Sequence, residues 1–174
     1  GRTVDSMRRI AALVIAACLA CGALAAAAPA GADFSVTGTF GVPGAGGGQF
    51  DNPIGVTVGE DGAVWVADGL NDRIQEWTAA GTFVRAFGST GTGRGHFSLP
   101  EDVLQVGGHV YVSDCDNGRV ARFDRTTLAP TGEFTGDTLR LRCPEGLAAG
   151  AAGDVWVADT FNDRLVDFDP ATGT

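Results

Sequence analysis

One short phrase occurs three times in the chain, and it limits the folds open to this sequence more than any other feature. It reads WVADGLNDRI at 65–74, YVSDCDNGRV at 111–120 and WVADTFNDRL at 156–165. Upstream of it, a phenylalanine and a proline keep nearly the same spacing, at Phe40, Phe87 and Phe134 and at Pro53, Pro100 and Pro144. Self-similarity at a fixed period of this size is typical of repeat architectures. We therefore predict a fold built from three similar units.

Each unit contains short segments with β-strand character. Valine alternates with aromatic residues in the second segment, and glycine-rich turns (GEDG, GG and GAAG) separate it from the first. Four short antiparallel strands in a unit of 40–50 residues are typical of a β-propeller blade, which must stack on its neighbours to bury its faces. An all-β fold is therefore expected. The predicted strands, in repeat order, are Ile54–Val58, Ala63–Ala67, Arg73–Thr78 and Thr82–Phe87; Asp102–Val106, His109–Ser113, Arg119–Asp124 and Thr131–Phe134; and Gly146–Ala149, Asp154–Ala158 and Arg164–Asp169.

The first unit resembles an NHL repeat. The residues that carry the resemblance are Phe-Gly, the glycines with Gly-Gln-Phe, Pro-x-Gly-Val, the Asp-Gly-x-Val-x-Val-Ala-Asp phrase and Asn-x-Arg-Ile, all between 40 and 86. The repeat at 87–133 departs from this pattern at His96 and at Glu101-Asp102. The repeat at 134–174 replaces Gly-Gln-Phe with RLRCPEGLA. The resemblance implies four-stranded blades in a propeller that has six blades in most relatives.

Three repeats are half of that number. The segment DFSVTGTF, residues 33–40, resembles a lone fourth strand ahead of the first complete unit, and the last unit ends just after its third strand. A ring closed by three blades would be too strongly curved, since propellers have four to eight. We expect the sequence to be part of a longer reading frame, and a half-propeller that forms a homodimer is the alternative.

The first 32 residues are predicted to lie outside the propeller. Residues 1–6 precede Met7, which is followed by two arginines, an apolar run and small residues at 28–32, as in a secretory signal peptide. An N-terminal membrane anchor and a lipobox ending at Cys18 are alternatives. Cleavage would leave a domain from 33 to 174, exported to the cell envelope or the extracellular space, with no membrane span.

The charge balance excludes some partners. The chain contains 12 arginines, no lysine and 21 acidic residues, for a formal net charge of −9. Residues 1–32 hold three of those arginines and one aspartate, so residues 33–174 have 9 basic and 20 acidic residues, a net charge of −11. Binding to phosphates needs a basic face, so nucleic acid is not expected as a partner.

The repeated phrase contributes one Asp, one Asn and one Arg per unit, which we call the side-chain bracket. The carboxylate ends the second strand and is expected to accept N–H groups of the next residues, as in an Asx-turn. The Asn is expected to take a positive φ, and the Arg to pair with the Asp or with carbonyls. A group present in every unit is more simply structural than catalytic. The brackets are Asp68, Asn71 and Arg73; Asp114, Asn117 and Arg119; and Asp159, Asn162 and Arg164.

Only two cysteines remain once a signal peptide containing Cys18 and Cys21 is removed. Cys115 lies in the loop between the second and third strands of one blade, and Cys143 in the connection into the next. In an up-and-down blade these two loops emerge on the same side, so an exported protein is expected to join them in a disulfide. Two free thiols are the alternative.

The strongest candidates for a metal site are two glutamates. Glu101 and Glu145 occupy equivalent positions just after the prolines, where Ile54 stands in the first repeat, and they could bind a divalent cation at the mouth of the channel. Similar propellers include metal-dependent lactonases and a lyase whose zinc is held by histidines. The two histidines here, His96 and His109, occupy different register positions and do not match that pattern.

Two functions follow from these observations. The first is an exported binding module that presents its loops to a protein, peptide or glycan, similar to the extracellular sensor propellers of some bacterial envelope proteins. This reading needs no cofactor and no catalytic residue. The second is a metal-dependent lyase or lactonase. No nucleophile motif such as Gly-x-Ser-x-Gly is present, and the binding module is the preferred hypothesis.

Overall fold

The computed structural model describes residues 35–136, 140–151 and 153–171, and it confirms the all-β prediction. All strands of the described residues lie in the second of the two units into which the chain divides, residues 38–174. Three antiparallel sheets follow one another along the chain and correspond to the three repeats. We call them blades 1, 2 and 3, and we call their strands a to d in chain order. Within the described residues, the only helical turns are the 3-10 segments Gly69–Asn71 and Thr160–Asn162.

The strand bounds of the three repeats agree with the sequence prediction to within one or two residues, whereas residues 35–40, the described part of the lone fourth strand expected at 33–40, form no strand. A two-stranded parallel pair, β1 (Val42–Pro43) and β2 (Gln49–Phe50), precedes blade 1. Blade 1 consists of β3 (Pro53–Val58), β4 (Val64–Asp68), β5 (Arg73–Trp77) and β6 (Phe83–Phe87). Blade 2 consists of β7 (Pro100–Val106), β8 (His109–Asp114), β9 (Arg119–Asp124) and β10 (Pro130–Phe134). Blade 3 consists of β11 (Pro144–Ala149), β12 (Val155–Asp159) and β13 (Arg164–Phe168).

The period-two alternation gives each sheet two apolar faces. In strand b of blade 1, Trp65 points toward blade 2, and its neighbours Val64 and Val66 point the other way. We call the side of a blade that faces the next repeat its back and the opposite side its front. Aromatic and β-branched residues suit such a pleated, half-buried surface. The alternation therefore lets every blade pack against a neighbour on both sides.

Two hydrophobic clusters join the blades. The first lies between blades 1 and 2, where Trp65 and Ile74 meet Phe97, Val110 and Phe123. The second lies between blades 2 and 3 and consists of Tyr111, Val120, Leu141, Val155, Val157 and Phe168. Burial of such side chains contributes about 1.5–3 kcal/mol each. The core of this fold therefore lies between the sheets, as expected for stacked blades. In the described part of the chain, no helix is long and apolar enough to cross a membrane.

Candidate binding face

The repeated phrase lies at one edge of the three blades. Each b–c loop begins there, beside the connection that leads into strand a of the same blade. The pairing of Pro53 with Asp68, of Pro100 with Asp114 and of Pro144 with Asp159 brings the two segments together. We call this edge the loop face. It comprises the b–c loops 69–72, 115–118 and 160–163 and the connections 41–52, 88–99, 135–136 and 140–143.

The aspartate of each bracket is fully buried and holds the connection. Asp68 Oδ1 accepts the backbone N–H of Asp51 at 2.7 Å, and Asp114 Oδ1 accepts that of Ser98 at 2.8 Å. In blade 3, Asp159 Oδ1 accepts the N–H of Arg142 at 2.7 Å. The donors lie 16 or 17 residues before the aspartate rather than just after it, so the expected Asx-turn is wrong. The carboxylate fastens two segments that are distant in sequence.

The asparagine and the arginine bind the same carboxylate. In blade 1, Asn71 Nδ2 lies 3.0 Å from Asp68 Oδ2, and Arg73 Nε donates to the same oxygen at 2.7 Å. The second and third brackets repeat both bonds, with Asn117 and Arg119 on Asp114 and Asn162 and Arg164 on Asp159, at 2.6–2.9 Å. Each asparagine also donates to a carbonyl of the connection: Gly44, Gly91 and Arg140.

The left-handed backbone position lies one residue after the asparagine. Asp72 and Asp163 have φ of 51°, and Gly118 has φ of 59°. The expectation that Asn71, Asn117 and Asn162 take positive φ is therefore wrong. Each asparagine instead ends a tight turn, with its side chain turned back onto the aspartate. Gly, Asn and Asp tolerate the left-handed region best, which accounts for Asp or Gly at the following position.

The glycine-rich stretch at 44–50 is part of the same structure. Arg73 donates to the carbonyl oxygens of Ala45, Gly46 and Gln49 at 2.6–2.8 Å. Arg119 binds the equivalent carbonyls of Thr92, Gly93 and His96 at 2.8–3.0 Å. A guanidinium has five donors in a fixed fork, so one side chain can fix a whole loop. These glycines are thus held by their own repeat and form a scaffold.

Sequence reasoning missed a fourth member of the first bracket. Gln75 is fully buried, and its Nε2 lies 2.9 Å from Asp68 Oδ2 and 2.5 Å from the carbonyl oxygen of Gln49. Its Oε1 accepts the N–H of Gly48 at 3.1 Å. Ala121 and Val166 occupy the same register position in the other blades. Because the residue is polar in one repeat only, the repeat pattern could not reveal it.

The equivalent aspartates differ in proton affinity. Burial raises the pKa of Asp114 and outweighs the bonds from Ser98, Asn117 and Arg119, which act to lower it. For Asp159, burial is again the largest influence and acts upward, but the hydrogen bonds from Arg142, Asn162 and Arg164 together lower the pKa. Blade 2 is covered by a blade on each side, so its carboxylate is more strongly desolvated.

A disulfide joins Cys115 in the b–c loop of blade 2 to Cys143 in the connection into blade 3. A groove of about 370 Å³ runs beside it on the loop face. Asp116, Arg140, Arg142 and Phe161 are among its lining residues, so it presents both charges and an aromatic ring. Phe161 is exposed. The groove offers donors and acceptors at its rim and an apolar surface for a ligand.

The two candidate glutamates lie in neighbouring strands a. Burial raises the pKa of Glu101, and the charges of Glu145 and Asp116 add to the effect. Among the residues that the structure describes, no group of three or more His, Cys, Asp or Glu side chains is arranged to hold a metal ion. His96 lies in the loop at 88–99 and His109 begins strand b of blade 2, so the histidines and glutamates form no common site.

Asp102 and Ser113, which sequence analysis did not assign a role, connect blades 2 and 3. Asp102 Oδ2 accepts the N–H of Leu147 at 2.8 Å, and Ser113 Oγ donates to the carbonyl oxygen of Glu145 at 2.5 Å. Burial raises the pKa of Asp102 despite its bonds to the N–H groups of Leu147 and Val103. The signal for Asp102 was its departure from the glycine found at this position in the other two repeats.

Two curated proteins with sequences similar to part of this chain are NHL repeat-containing proteins. No protein-family model matches the chain. It is 35% identical over 92 residues to NHL repeat-containing protein 3 of Homo sapiens and 36% identical over 92 residues to that of Mus musculus. The matched repeats are therefore similar to the repeats of NHL repeat-containing proteins. Each match covers 51% of this chain and 25% of the relative, so the matched part is about a quarter of the curated relatives' length.

Solved structures of larger proteins have a similar fold. Virginiamycin B lyase from Staphylococcus aureus matches with a TM-score of 0.51 at 20% identity, over 67% of this chain and 41% of the lyase. An extracellular domain from B. thetaiotaomicron matches with a TM-score of 0.56 at 16% identity, over 70% of this chain and 17% of that chain. At these identities the likeness establishes the propeller fold alone.

Proposed function

We propose that the chain is an exported binding module that presents its loop face to a protein, peptide or glycan. The observation that carries this proposal is that an exposed loop residue varies among the three repeats while the bracket that holds each loop stays the same. Each bracket holds the two ends of its b–c loop in the same way, while the second residue of the loop is Leu70, Asp116 or Phe161. All three are exposed. Surface loops on a rigid scaffold are the usual place for recognition.

The position of the disulfide supports export. It lies at the loop face between two blades, and disulfides persist mainly in oxidising compartments. The extracellular domain among the structural neighbours has the same fold. We therefore propose removal of residues 1–32 as a signal peptide, which would leave repeats at 40–86, 87–133 and 134–174. The predicted signal peptide, with its alternatives of an anchor and a lipobox, lies outside the described residues.

The groove beside the disulfide is the proposed binding site. Its lining combines Arg140, Arg142 and Asp116 with the exposed Phe161. Arginine and aromatic side chains are enriched where binding energy is concentrated. A ligand with a carboxylate next to an aromatic or apolar group would satisfy both, and an acidic peptide segment has this chemistry.

The test is a ligand screen with loop-face variants. A peptide-display library and a glycan array are probed with the wild-type chain, with Phe161→Ala and with Arg142→Ala. We expect binding of selected ligands to weaken by at least about 10-fold in each variant, since truncation of a central contact costs more than 1 kcal/mol. Glu60→Ala, in the a–b turn of blade 1, is the control and should bind as wild type. Ligands that bind all four proteins equally would contradict the assignment.

The second candidate is a metal-dependent lyase or lactonase. Burial raises the pKa of Glu101 most, and the charge of Glu145 adds to the effect; a divalent cation would relieve that second, repulsive contribution, which favours this candidate. Titration with Ca²⁺, Mn²⁺ and Zn²⁺ by calorimetry would decide. Binding by the wild-type chain that is lost in Glu101→Gln and in Glu145→Gln supports a metal site, and heat signals unchanged by these substitutions exclude it.

A further inference from the structure

The two contacts between neighbouring blades, which we call joints, carry opposite charges at one equivalent position. The cross-strand pair of Trp65 and Glu76 in blade 1 corresponds to the pair of Tyr111 and Arg122 in blade 2, because both lie three positions from the Asp–Arg pair of the bracket. Trp65 and Tyr111 are both buried. A carboxylate in the joint of blades 1 and 2 is thus replaced by a guanidinium group in the joint of blades 2 and 3.

The charges of the first joint neutralise one another. Arg125 of blade 2 forms ion pairs with Asp61, in the a–b turn of blade 1, and with Glu76 at 2.8 Å. The Cζ atom of Arg125 also lies 4.6 Å from the ring centroid of Trp65. Glu76 accepts a second charged hydrogen bond, from Arg85 at 2.5 Å. Two carboxylates and two guanidinium groups of the chain therefore satisfy one another.

The second joint lacks both groups that surround Glu76 and Trp65 in the first. Arg125 and Pro170 each stand six residues after the arginine of their bracket, so blade 3 has a proline where blade 2 has the stacking arginine. The a–b turn that carries Asp61 in blade 1 is shortened in blade 2 to residues 107–108, both glycine. The second joint has neither an arginine side chain to cover Tyr111 nor a carboxylate in the turn.

Arg122 is left as a half-buried cation without a counterion. It donates to the carbonyl oxygen of Pro170 at 2.7 Å, and to Oγ1 and the carbonyl oxygen of Thr131 at 3.2 and 3.4 Å. These acceptors are uncharged, and Arg122 forms no ion pair with any residue that the structure describes. Withdrawing a charge from water is costly unless it is paired. An anion beside Arg122 would therefore be bound favourably.

A cavity of about 350 Å³ lies beside Arg122, at the edge of the blades opposite the loop face. Val106, Tyr111 and Pro170 give it apolar walls. His109 also lines it, and the Nδ1 atom of this residue is buried with no hydrogen-bond partner in the described part of the chain. An unpaired buried polar group calls for a partner such as a water or an ion. The volume lies in the range of small-molecule sites.

Asp169 limits the charge of a ligand in this cavity. It belongs to the lining, and its Oδ1 accepts the N–H of Ala171 at 2.8 Å. A second carboxylate in the wall repels a dianion such as sulfate more strongly than a single negative charge. The apolar walls favour an organic body. Together with Arg122, these features select a singly charged organic acid.

We propose that the cavity between blades 2 and 3 binds a small organic monocarboxylate, whose carboxylate group pairs with Arg122. The ligand supplies the negative charge that Asp61 and Glu76 supply to Arg125 in the first joint. Its apolar part lies against Tyr111, on the surface that corresponds to the ring of Trp65. The site is at the opposite edge from the groove beside the disulfide, so this inference does not depend on the proposed function of the loop face.

The first joint provides an internal comparison. A groove of about 280 Å³ lies there, lined by Asp61, Glu76 and Arg125 among others. Its charged groups are already paired with one another. No carboxylate is expected to bind in this groove, although the two joints are built on the same repeat.

The experiment uses benzoate, a carboxylate on an aromatic ring, as the probe. The full chain, produced in an exporting host, is titrated with sodium benzoate, and backbone amide shifts are followed by NMR. We expect a dissociation constant of about 1 mM or below, with the largest shifts in β8 and β9. Arg122→Gln should raise this constant by at least about 10-fold, because a charge-assisted hydrogen bond is lost. Arg94→Gln removes the same charge from an exposed loop residue and should bind as wild type. Sulfate should bind the wild-type chain at least about 10-fold more weakly than benzoate.

A double variant separates loss of the site from loss of the fold. Arg122→Glu combined with Pro170→Arg rebuilds the Glu76–Arg125 pair of the first joint, so the chain should fold but no longer bind benzoate. Benzoate should accordingly raise the Tm of the wild type and leave that of the double variant unchanged.

Four outcomes would overturn the proposal. They are no binding by the wild type up to about 10 mM benzoate, an unchanged affinity in Arg122→Gln, sulfate binding as tight as that of benzoate, and a double variant that benzoate still stabilises. Binding that is lost in Arg142→Ala but kept in Arg122→Gln would assign benzoate to the groove on the loop face and would overturn it as well.

Discussion

The two joints between blades have the same backbone arrangement but are held together by different chemistry. In the joint of blades 1 and 2, Arg125 stacks over Trp65 at 4.6 Å and forms ion pairs with Asp61 and, at 2.8 Å, with Glu76. Arg85 crosses in the other direction and donates to the carbonyl oxygen of Thr126 at 2.9 Å. This joint is aromatic and ionic, and it contains no covalent link.

The joint of blades 2 and 3 is fastened at its loop face. The Cys115–Cys143 disulfide, Asp102 and Ser113 all act there on strand a of blade 3 or the connection before it. At the position of Glu76, blade 2 has Arg122, which donates to the carbonyl oxygen of Pro170 at 2.7 Å. The repeat therefore fixes where contacts are made, and the residue at each position decides whether the contact is ionic, covalent or made through the backbone.

The largest difference in unfolding free energy is expected between Trp65 and Trp156, which occupy the same register position in blades 1 and 3. Trp65→Ala should lower the free energy of unfolding by about 3–5 kcal/mol, because it removes a fully buried ring and the surface on which Arg125 stacks. Trp156→Ala, the same change at the same register position on the exposed face of blade 3, should cost less than about 1.5 kcal/mol. Urea unfolding of the two variants and of the wild type measures both losses. Equal losses would show that the two faces are equally covered.

Removal of the disulfide should loosen the second joint more than the first. Cys115→Ser with Cys143→Ser is expected to lower the free energy of unfolding by about 3–4 kcal/mol, from the entropy of a closed loop of this length. Backbone hydrogen exchange should rise first in β11–β13, which the disulfide ties to blade 2, and later in blade 1. Cys18 and Cys21 offer no substitute if they leave with the signal peptide. A uniform rise across all three blades would contradict a local role.

Sequence analysis predicted the strands well because they are governed by the period-two pattern and the repeat. It assigned the bracket to the scaffold but gave the wrong hydrogen-bond donors, since Asp51, Ser98 and Arg142 become neighbours of the aspartates only after strand a pairs with strand b. Local turn rules describe short-range bonds, whereas these bonds connect residues 16 or 17 positions apart. These donors could be identified only from the tertiary structure.

The side-chain contacts between neighbouring blades could not be predicted from the sequence either, for a different reason. Arg125, Glu76 and Asp102 each act in one repeat only, so no periodicity marks them. Asp102 was visible only as a departure from glycine. Contacts of this kind depend on which side chains two sheets bring within reach once they have stacked, and a single repeat does not contain that information.

Gly55 and Gly146 stand at the register position of Asp102, and substitution of each tests how closely neighbouring blades approach there. A Cβ on Gly55 would lie 2.5 Å from the carbonyl oxygen of Glu101 and 2.6 Å from the Cα of Asp102, so blade 2 would have to move. Gly55→Ala should therefore cost about 1–3 kcal/mol of unfolding free energy. Gly146→Ala, at the same position on the open back of blade 3, meets only Ala158 Cβ at 3.8 Å and should cost less than about 1 kcal/mol. Thermal unfolding of the two variants compares the joints directly, and a Gly146→Ala loss as large as that of Gly55→Ala would refute this reading.

The smallest expected effect on stability is electrostatic and arises from Glu101, between blades 2 and 3. Glu101 lies between Ile54 of blade 1 and Glu145 of blade 3 in register, so only its blade 3 neighbour is charged. Burial, and then Glu145 and Asp116, raise the pKa of Glu101 above its ordinary value of 4.5. A group whose pKa is raised by folding binds its proton more tightly in the folded state. Its contribution to stability is therefore complete below pH 4.5 and is lost as the pH rises through the higher folded-state value.

Glu101→Gln should thus be more stable than wild type at pH 7, by on the order of 0.5 kcal/mol after allowance for solvent screening. The advantage should disappear at pH 3.5, where the wild-type carboxyl is protonated in both states. Glu145→Gln should act in the same direction by removing the nearby charge, and the double variant should gain less than the sum, because the two substitutions relieve one repulsion. Urea unfolding of the four proteins at both pH values measures this. If the stability gain of Glu101→Gln persisted at pH 3.5, or if the gains of the two single variants added fully in the double variant, the two glutamates would not repel each other between blades 2 and 3.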